Sequence, residues 1–190
     1  LIRESYYDTQ DKAALCSAGY ASLERQYDEA GNVTREAYYD SSGGAVLCEK
    51  GYAAIERRYK DDKIGEERYL NIDNSPIGIG ENGYASLINQ YTEDGQLSLR
   101  YYYNVEGERI LCGSGYFHEY LQKLKGKSFV ISVRDEGTNA LTPTLIEDLR
   151  ELGIKTELEG KYRNAFYAVV SAEGVVEEIS SERLTYSGEI

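Results

Sequence analysis

The stretch Gly51-Tyr52-Ala53-Ala54-Ile55-Glu56-Arg57-Arg58-Tyr59 is the unit from which most of this 190-residue chain is built. It returns with few changes at residues 19–27 and 83–91, and a partial fourth copy opens at residues 115–116. The four glycines lie 32 residues apart, and the tyrosine that follows each of them keeps the same step. A fixed period of this size is the signature of a repeat array, so the fold must be built from one small unit used several times.

Each copy has the pattern of a β-hairpin. Ile55 and Tyr59 alternate with Glu56 and Arg58, which is the period of two of a half-buried strand. Residues rich in Asp, Asn and Gly separate the strands, and these residues favour tight turns. One hairpin is marginally stable alone, whereas stacked copies bury their apolar rows against each other. The sequence therefore predicts a mainly β array of 32-residue hairpin repeats over residues 1–116.

The cysteines follow the same period, each directly after a leucine: Cys16 after Leu15, Cys48 after Leu47, and Cys112 after Leu111. A cysteine fixed to an apolar repeat position is typical of a small buried side chain, and one per repeat does not make a disulfide framework. We expect three free, buried thiols in one apolar row with these leucines, and a short third strand in each unit at positions such as 46–48. Unpaired cysteines slightly favour a cytoplasmic location, and a cell-surface location stays open.

Tyrosine is the dominant aromatic residue of the repeats, which hold most of the 19 tyrosines. One interpretation is that each ring packs on a thin sheet while its hydroxyl stays in water. The alternative is an aromatic surface on which sugars or a protein partner bind. The pattern resembles the tyrosine-rich hairpin repeats of bacterial surface and sugar-transfer proteins. Together with Leu1 at the first position, this resemblance indicates a piece of a larger bacterial protein.

The composition changes after residue 116, where the phenylalanines and the only histidine appear. Thr142 has the position of a helix N-cap, Pro143 of the first turn, and Gly153 of the residue past the end. Strand, helix and strand in succession predict a small α/β domain over residues 117–190. The predicted elements are a short helix at 117–124, a strand at 128–133, a helix at 143–152 and a strand at 166–170.

No linker rich in Pro, Gly or Ser separates the two parts of the chain, since residues 113–115 have the pattern of a repeat turn. The last unit of an array needs a cover for its apolar edge. We therefore expect residues 117–190 to cap the third hairpin, with Tyr101 or Tyr103 at the contact. The last repeat, residues 100–111, could supply a hairpin to the final domain, so that both parts share one sheet.

Three motifs of the last 60 residues occur together. A buried strand runs into Arg134-Asp135-Glu136-Gly137, a helix ends in Leu152-Gly153, and Arg163 precedes an aromatic strand. In this combination, residues 127–176 resemble the interleukin-like EMT inducer domain, the family of the stem domain of protein O-mannose N-acetylglucosaminyltransferase.

The resemblance implies a non-catalytic module that binds sugar. It carries over onto Asp135 and Arg163 as the polar pair that would hold sugar hydroxyls, because a carboxylate accepts from hydroxyls and a guanidinium donates to them. Tyr162 or Phe166 would supply the stacking ring. The alternative is that Asp135 holds a turn and pairs with Arg163 on the surface.

Other chemistry has little support in the sequence. His118 is the only histidine and no cysteine lies outside the repeat positions, so we expect no metal site, no cofactor and no catalytic residue. A net charge of −12 disfavours nucleic acid, and no apolar run has the length of a membrane helix. The sequence thus predicts a carbohydrate-binding module with a repeat spacer, which could serve as an accessory to a sugar-acting enzyme. The alternative is a protein-interaction scaffold.

Overall fold

A computed structural model describes residues 2–134, 138–182 and 184. Its contacts divide the chain into two compact units. The first comprises Leu1–Asn89 and Tyr101–Leu111, and the second comprises Gln90–Arg100 and Cys112–Ile190. The described residues form eleven strands and two helices, so the mainly β prediction is confirmed.

The repeats form one antiparallel sheet in which every strand neighbours the next strand of the chain. This order is that of consecutive hairpins. Its eight strands are β1 (Ile2–Ser5), β2 (Ser22–Tyr27), β3 (Val33–Tyr39), β4 (Ala54–Lys60), β5 (Lys63–Leu70), β6 (Ser86–Tyr91), β7 (Leu97–Tyr103) and β8 (Arg109–Ile110).

Aspartates hold the turns that the sequence predicts. Asp28 Oδ1 accepts a hydrogen bond from the backbone N of Asn32 at 2.8 Å, and Gly31 between them has φ of +89°. Such a turn needs a residue that tolerates positive φ, and glycine does so without steric cost. Asp40 repeats the arrangement in the next turn, where its Oδ1 accepts from the N of Gly44 at 2.9 Å.

The predicted third strand is wrong for the unit at residues 46–48, whereas the last unit has the short strand β8 at the equivalent position. Tyr39 and Ala45 form only an isolated bridge, and no strand includes residues 46–48. The chain turns here because the N of Cys48 donates to the O of Tyr52 at 3.0 Å. This short loop folds over the sheet and leads into the next hairpin.

One face of the first sheet carries the larger core. Its buried residues are Leu23, Tyr38, Cys48, Tyr52, Ile55 and Tyr69. The opposite face has a small cluster of Ala37, Ala54 and Leu70. Because side chains alternate between the faces of a strand, β3, β4 and β5 contribute to both clusters, while Cys48 and Tyr52 come from the loop between β3 and β4.

The predicted row of leucines and cysteines is wrong in part. All three cysteines are free, but only Cys48 is buried, while Cys16 and Cys112 are half-buried. The leucines before them are exposed, most of all Leu111 at 71%. Neighbouring side chains of an extended segment point in opposite directions, so a cysteine that faces inward turns the preceding leucine outward.

The second unit contains a three-stranded antiparallel sheet and two helices. Its elements are α1 (Gly113–Gln122), β9 (Phe129–Val133), α2 (Pro143–Glu151), β10 (Ala165–Ser171) and β11 (Gly174–Ser180), with β10 between β9 and β11. The core is aliphatic apart from one phenylalanine. Its buried residues are Leu121, Leu145, Leu149, Leu152, Ile154, Leu158, Phe166 and Ala168.

The predicted ends of α2 are confirmed, and the predicted bounds of α1 are partly wrong. Thr142 Oγ1 accepts from the N of Leu145, Pro143 opens α2, and Gly153 beyond its end has φ of +94°. However, residues 113–115 form the first turn of α1 instead of a repeat turn. The boundary that we predicted after residue 116 therefore lies inside this helix.

We also predicted that the last repeat and the final domain share one sheet. This prediction is wrong, because β9–β11 form a sheet of their own in the described part of the chain.

Candidate functional site

A row of tyrosine rings crosses the first sheet. Seven rings follow one another, with neighbouring centroids 4.8–5.9 Å apart and mostly tilted or edge-to-face. These are the geometries that aromatic pairs prefer. The tyrosine ladder, as we call this row, comprises Tyr6, Tyr20, Tyr38, Tyr52, Tyr69, Tyr84 and Tyr102.

Glutamates two residues earlier bind several ladder hydroxyls. Tyr38 donates to Glu36, and Tyr69 donates to Glu67 at 3.0 Å. Burial, together with the hydrogen bond to Glu36, raises the pKa of Tyr38 far above its usual range. Burial also raises the pKa of Glu36, but hydrogen bonds from Tyr38 and Arg25 outweigh it and hold that pKa below its ordinary value. The hydroxyls of Tyr38 and Tyr69 are thus paired with carboxylates, whereas our interpretation expected such hydroxyls to stay in water.

The ladder offers little surface to a ligand. Its central rings, Tyr38, Tyr52 and Tyr69, are 5–6% exposed, and they belong to the core of the first unit. A sugar or peptide stacks on the open face of a ring, which these rings lack. The geometry therefore favours the packing interpretation of the repeat tyrosines.

The candidate sugar site lies in the turn before β10. Tyr162 is 62% exposed, and Arg163 beside it is exposed and has φ of +56°. The side chain of Asn164 donates to the O of Tyr162 at 3.3 Å and helps to hold the turn. Asp135, the predicted partner of Arg163, lies outside the described residues.

Phe166 has a different place from Tyr162. It is 5% exposed and belongs to the core of the second unit, so it presents no open ring face. Phe166 and Asn164 line a mainly apolar cavity of about 240 Å³ between the helices and the three-stranded sheet. Of the two aromatic candidates, only Tyr162 is placed where a sugar ring could stack.

No partner of His118 is evident in the sequence, and the structure supplies one. His118 Nδ1 lies 2.7 Å from Oδ2 of Asp148, and Gln122 donates to the other carboxylate oxygen. Asp148 is buried, which a carboxylate tolerates only when it is paired. Asp148 shares the apolar stripe of α2 with Leu145, Leu149 and Leu152, and a charged residue in such a stripe was the signal that could have revealed it. These contacts join α1 to α2.

A polar groove on the first unit was not foreseen. It lies on the face opposite the ladder and has a volume of about 470 Å³. Strands β3 to β6 form its floor, and the turns at residues 71–76 and 104–107 form its walls. We call it the inter-turn groove, and its polar side chains are Arg35, Glu56, Arg68, Asn74, Ser86, Asn104 and Glu106. No local sequence pattern predicts this groove, because its lining residues come from five separate segments of the chain.

Metal chemistry and membrane insertion find no support in the part of the chain that the structure describes. It contains no group of three or more His, Cys, Asp or Glu side chains that could hold a metal ion. Neither α1 nor α2 has the length and apolar character needed to span a bilayer.

No protein-family model matches the chain, and no curated protein matches it.

Proposed function

We propose that the chain is a non-catalytic carbohydrate-binding module of a larger bacterial protein, with its site at Tyr162 and Arg163 and with the repeats as a spacer. The backbone conformation of Arg163 carries the proposal. Among the described residues, five other than glycine have positive φ, and four of these are Asp or Asn. Those residue types tolerate the left-handed region through local hydrogen bonds of their short side chains, whereas a long side chain such as that of arginine rarely adopts it.

Strain of this kind costs on the order of 1 kcal/mol and is concentrated at functional sites. Arg163 and the exposed residue Tyr162 are neighbours in this turn. A guanidinium donates in fork geometry to neighbouring hydroxyls, and a tyrosine ring packs on the apolar face of a sugar. In this proposal Asp135 accepts from the same hydroxyls, as the resemblance to the interleukin-like EMT inducer domain implies.

A glycan array probed with the full chain tests the proposal. We expect binding to at least one glycan class, and we expect Tyr162→Ala to abolish it. Tyr120→Ala is the matched control, since Tyr120 is a half-exposed tyrosine of α1 and its loss should leave binding intact. Absence of binding at about 1 mM glycan, which corresponds to roughly −4 kcal/mol, would refute the proposal.

A capping role of the second unit is part of the same proposal. Residues Gln90–Arg100 of the third hairpin belong to this unit by their contacts. Within it, Ser98 and Thr144 are joined through their hydroxyl oxygens, and the N of Arg100 donates to Ser114 Oγ at 2.7 Å. We therefore expect the full chain to melt in one transition, and two well-separated transitions would contradict this role.

A protein-interaction scaffold is the second candidate, and the exposed leucines favour it. Leu15, Leu47 and Leu111 repeat at equivalent positions and face outward. In that case Leu111→Gln should remove binding of a polypeptide partner without changing stability, because the side chain is already exposed. Tyr162→Ala should leave that binding unchanged.

A further inference from the structure

We propose that the inter-turn groove is a second binding site, for a neutral oligosaccharide. The inference rests on the proposed function for its ligand class, and it places the ligand on the first unit, on residues that the first site does not use. Its volume of about 470 Å³ lies within the range of about 300–1,000 Å³ that is typical of ligand sites.

The wall of the groove is held in place before any ligand arrives. Arg35 Nη1 pairs with Oε1 of Glu56, and its Nη2 donates to Oδ1 of Asn74 at 2.6 Å. Arg68 Nε donates to Oε1 of Glu66 at 2.6 Å. Side chains fixed by such contacts lose little conformational freedom on binding, which is the benefit of a preorganised site.

Asn74 distinguishes this groove from the corresponding place one repeat earlier. Three successive turns have a left-handed residue at the same position, occupied by Gly43, Asn74 and Gly107 with φ of +85°, +63° and +79°. Glycine is the residue that fits this conformation most easily. Asn74 accepts the left-handed conformation and also brings a side-chain amide to Arg35, which lies 39 residues earlier.

The charges of the lining favour a neutral ligand. Two arginines, Arg35 and Arg68, face two glutamates, Glu56 and Glu106, so the formal charge of the groove is balanced. The lining contains both hydrogen-bond donors and acceptors, which suits a ligand whose hydroxyls both donate and accept. Pro76 on one wall and exposed Val105 on the other offer apolar contacts to the C–H faces of sugar rings.

Amide NMR spectra of the labelled full chain test this inference. The probes are four neutral tetrasaccharides, namely maltotetraose, cellotetraose, laminaritetraose and chitotetraose. With one of them we expect saturable shifts of the amides of Asn74, Ser86 and residues 104–107. Arg68→Gln should weaken that binding about tenfold or more, because it removes a charge-assisted hydrogen bond.

Arg58→Gln is the matched control. Arg58 also pairs with Glu66, at 3.0 Å, but it is strongly exposed and lies outside the groove. Its replacement makes the same change of charge and removes a partner of the same carboxylate. Affinity should therefore stay within about twofold of the unmodified chain, since exposed ion pairs contribute little.

The same experiment can overturn either site proposal without the other. Shifts confined to residues 162–166 would overturn the groove and keep the proposed site, whereas shifts confined to the groove would do the reverse. No shift at about 10 mM of any probe, or equal losses in Arg58→Gln and Arg68→Gln, would overturn the groove proposal. Stronger binding of a neutral tetrapeptide at the same amides would also overturn it, because the groove would then recognise peptide.

Discussion

The two units bury different kinds of core. The first packs tyrosine rings in a row and satisfies several of their hydroxyls with glutamates of the same strands. The second packs leucine, isoleucine and phenylalanine between two helices and a small sheet, with one paired carboxylate at Asp148. The packing of each ring in a ladder depends on the rings beside it, whereas each side chain of an aliphatic core packs against many others. The buried rings of the ladder thus contribute to the stability of the first unit, and their burial favours other places for ligand binding.

The largest effect that we predict is at the centre of the tyrosine ladder. Tyr69→Ala should cost about 3–5 kcal/mol of unfolding free energy, the loss typical of a buried aromatic residue. Tyr102→Ala at the end of the ladder should cost clearly less, because that ring is half-buried and has one ladder neighbour. Urea denaturation measures both, and equal losses would break the description of the row as a ladder.

The paired carboxylate of the second unit should have the next largest effect. Asp148→Ala removes the common partner of His118 and Gln122, and should cost about 1–3 kcal/mol. Glu151→Ala on the same helix is the control, since its ion pair with Lys125 is exposed and should contribute less than about 1 kcal/mol. If thermal denaturation ranks the two losses in the reverse order, the pairing does not stabilise the unit.

The ladder should also make the stability of the first unit depend on pH. Tyr38 and Tyr69 have folded pKa values raised above the ordinary 10.0, so their contribution is complete below pH 10 and is lost as pH rises above it. Glu36 has a folded pKa below its ordinary 4.5, so its contribution is complete above pH 4.5 and is lost as pH falls through the folded value.

Urea denaturation of the full chain at about pH 8 and about pH 11 measures this dependence. We expect one transition at both values and a lower unfolding free energy at the higher pH, because Tyr38 and Tyr69 ionise more easily in the unfolded chain than in the folded one. An unfolding free energy that is unchanged or higher at about pH 11 would contradict this contribution of the ladder.

The smallest effect that we predict is a difference in reactivity among the three thiols. Cys48 is buried and should react with a thiol reagent only after denaturation, whereas half-buried Cys16 should react in the native protein. Burial raises the pKa of Cys112, which lowers its thiolate fraction and should slow its reaction. Mass spectrometry of the labelled peptides gives the order, and fast labelling of Cys48 would contradict the packing of the first unit.

Local signals in the sequence were sufficient for much of the fold. The period of 32 residues predicts the hairpins, and Thr142, Pro143 and Gly153 predict both ends of α2, because caps and turns depend on residues close in the chain. Residues 113–115 misled us for the same reason, since their composition suits a turn as well as the start of a helix.

Contacts between residues that are distant in the chain could not be predicted from the sequence. The direction of Leu15 and Leu47 depends on how a loop folds over the sheet, which the pattern of residues does not contain. The inter-turn groove depends on a hydrogen bond between Arg35 and Asn74, 39 residues apart. The sequence correctly predicted a strand soon after Arg163. Nothing in it indicated the left-handed conformation of that residue.

The glycan affinity of Arg163→Asn, measured by calorimetry beside its melting temperature, tests the central claim most directly. Asparagine accepts positive φ at lower cost but has no guanidinium to hold sugar hydroxyls. We expect the melting temperature to stay unchanged or rise while glycan binding falls at least about tenfold, the loss expected for one charge-assisted hydrogen bond. Unchanged glycan affinity in this variant would contradict a sugar site at Tyr162 and Arg163.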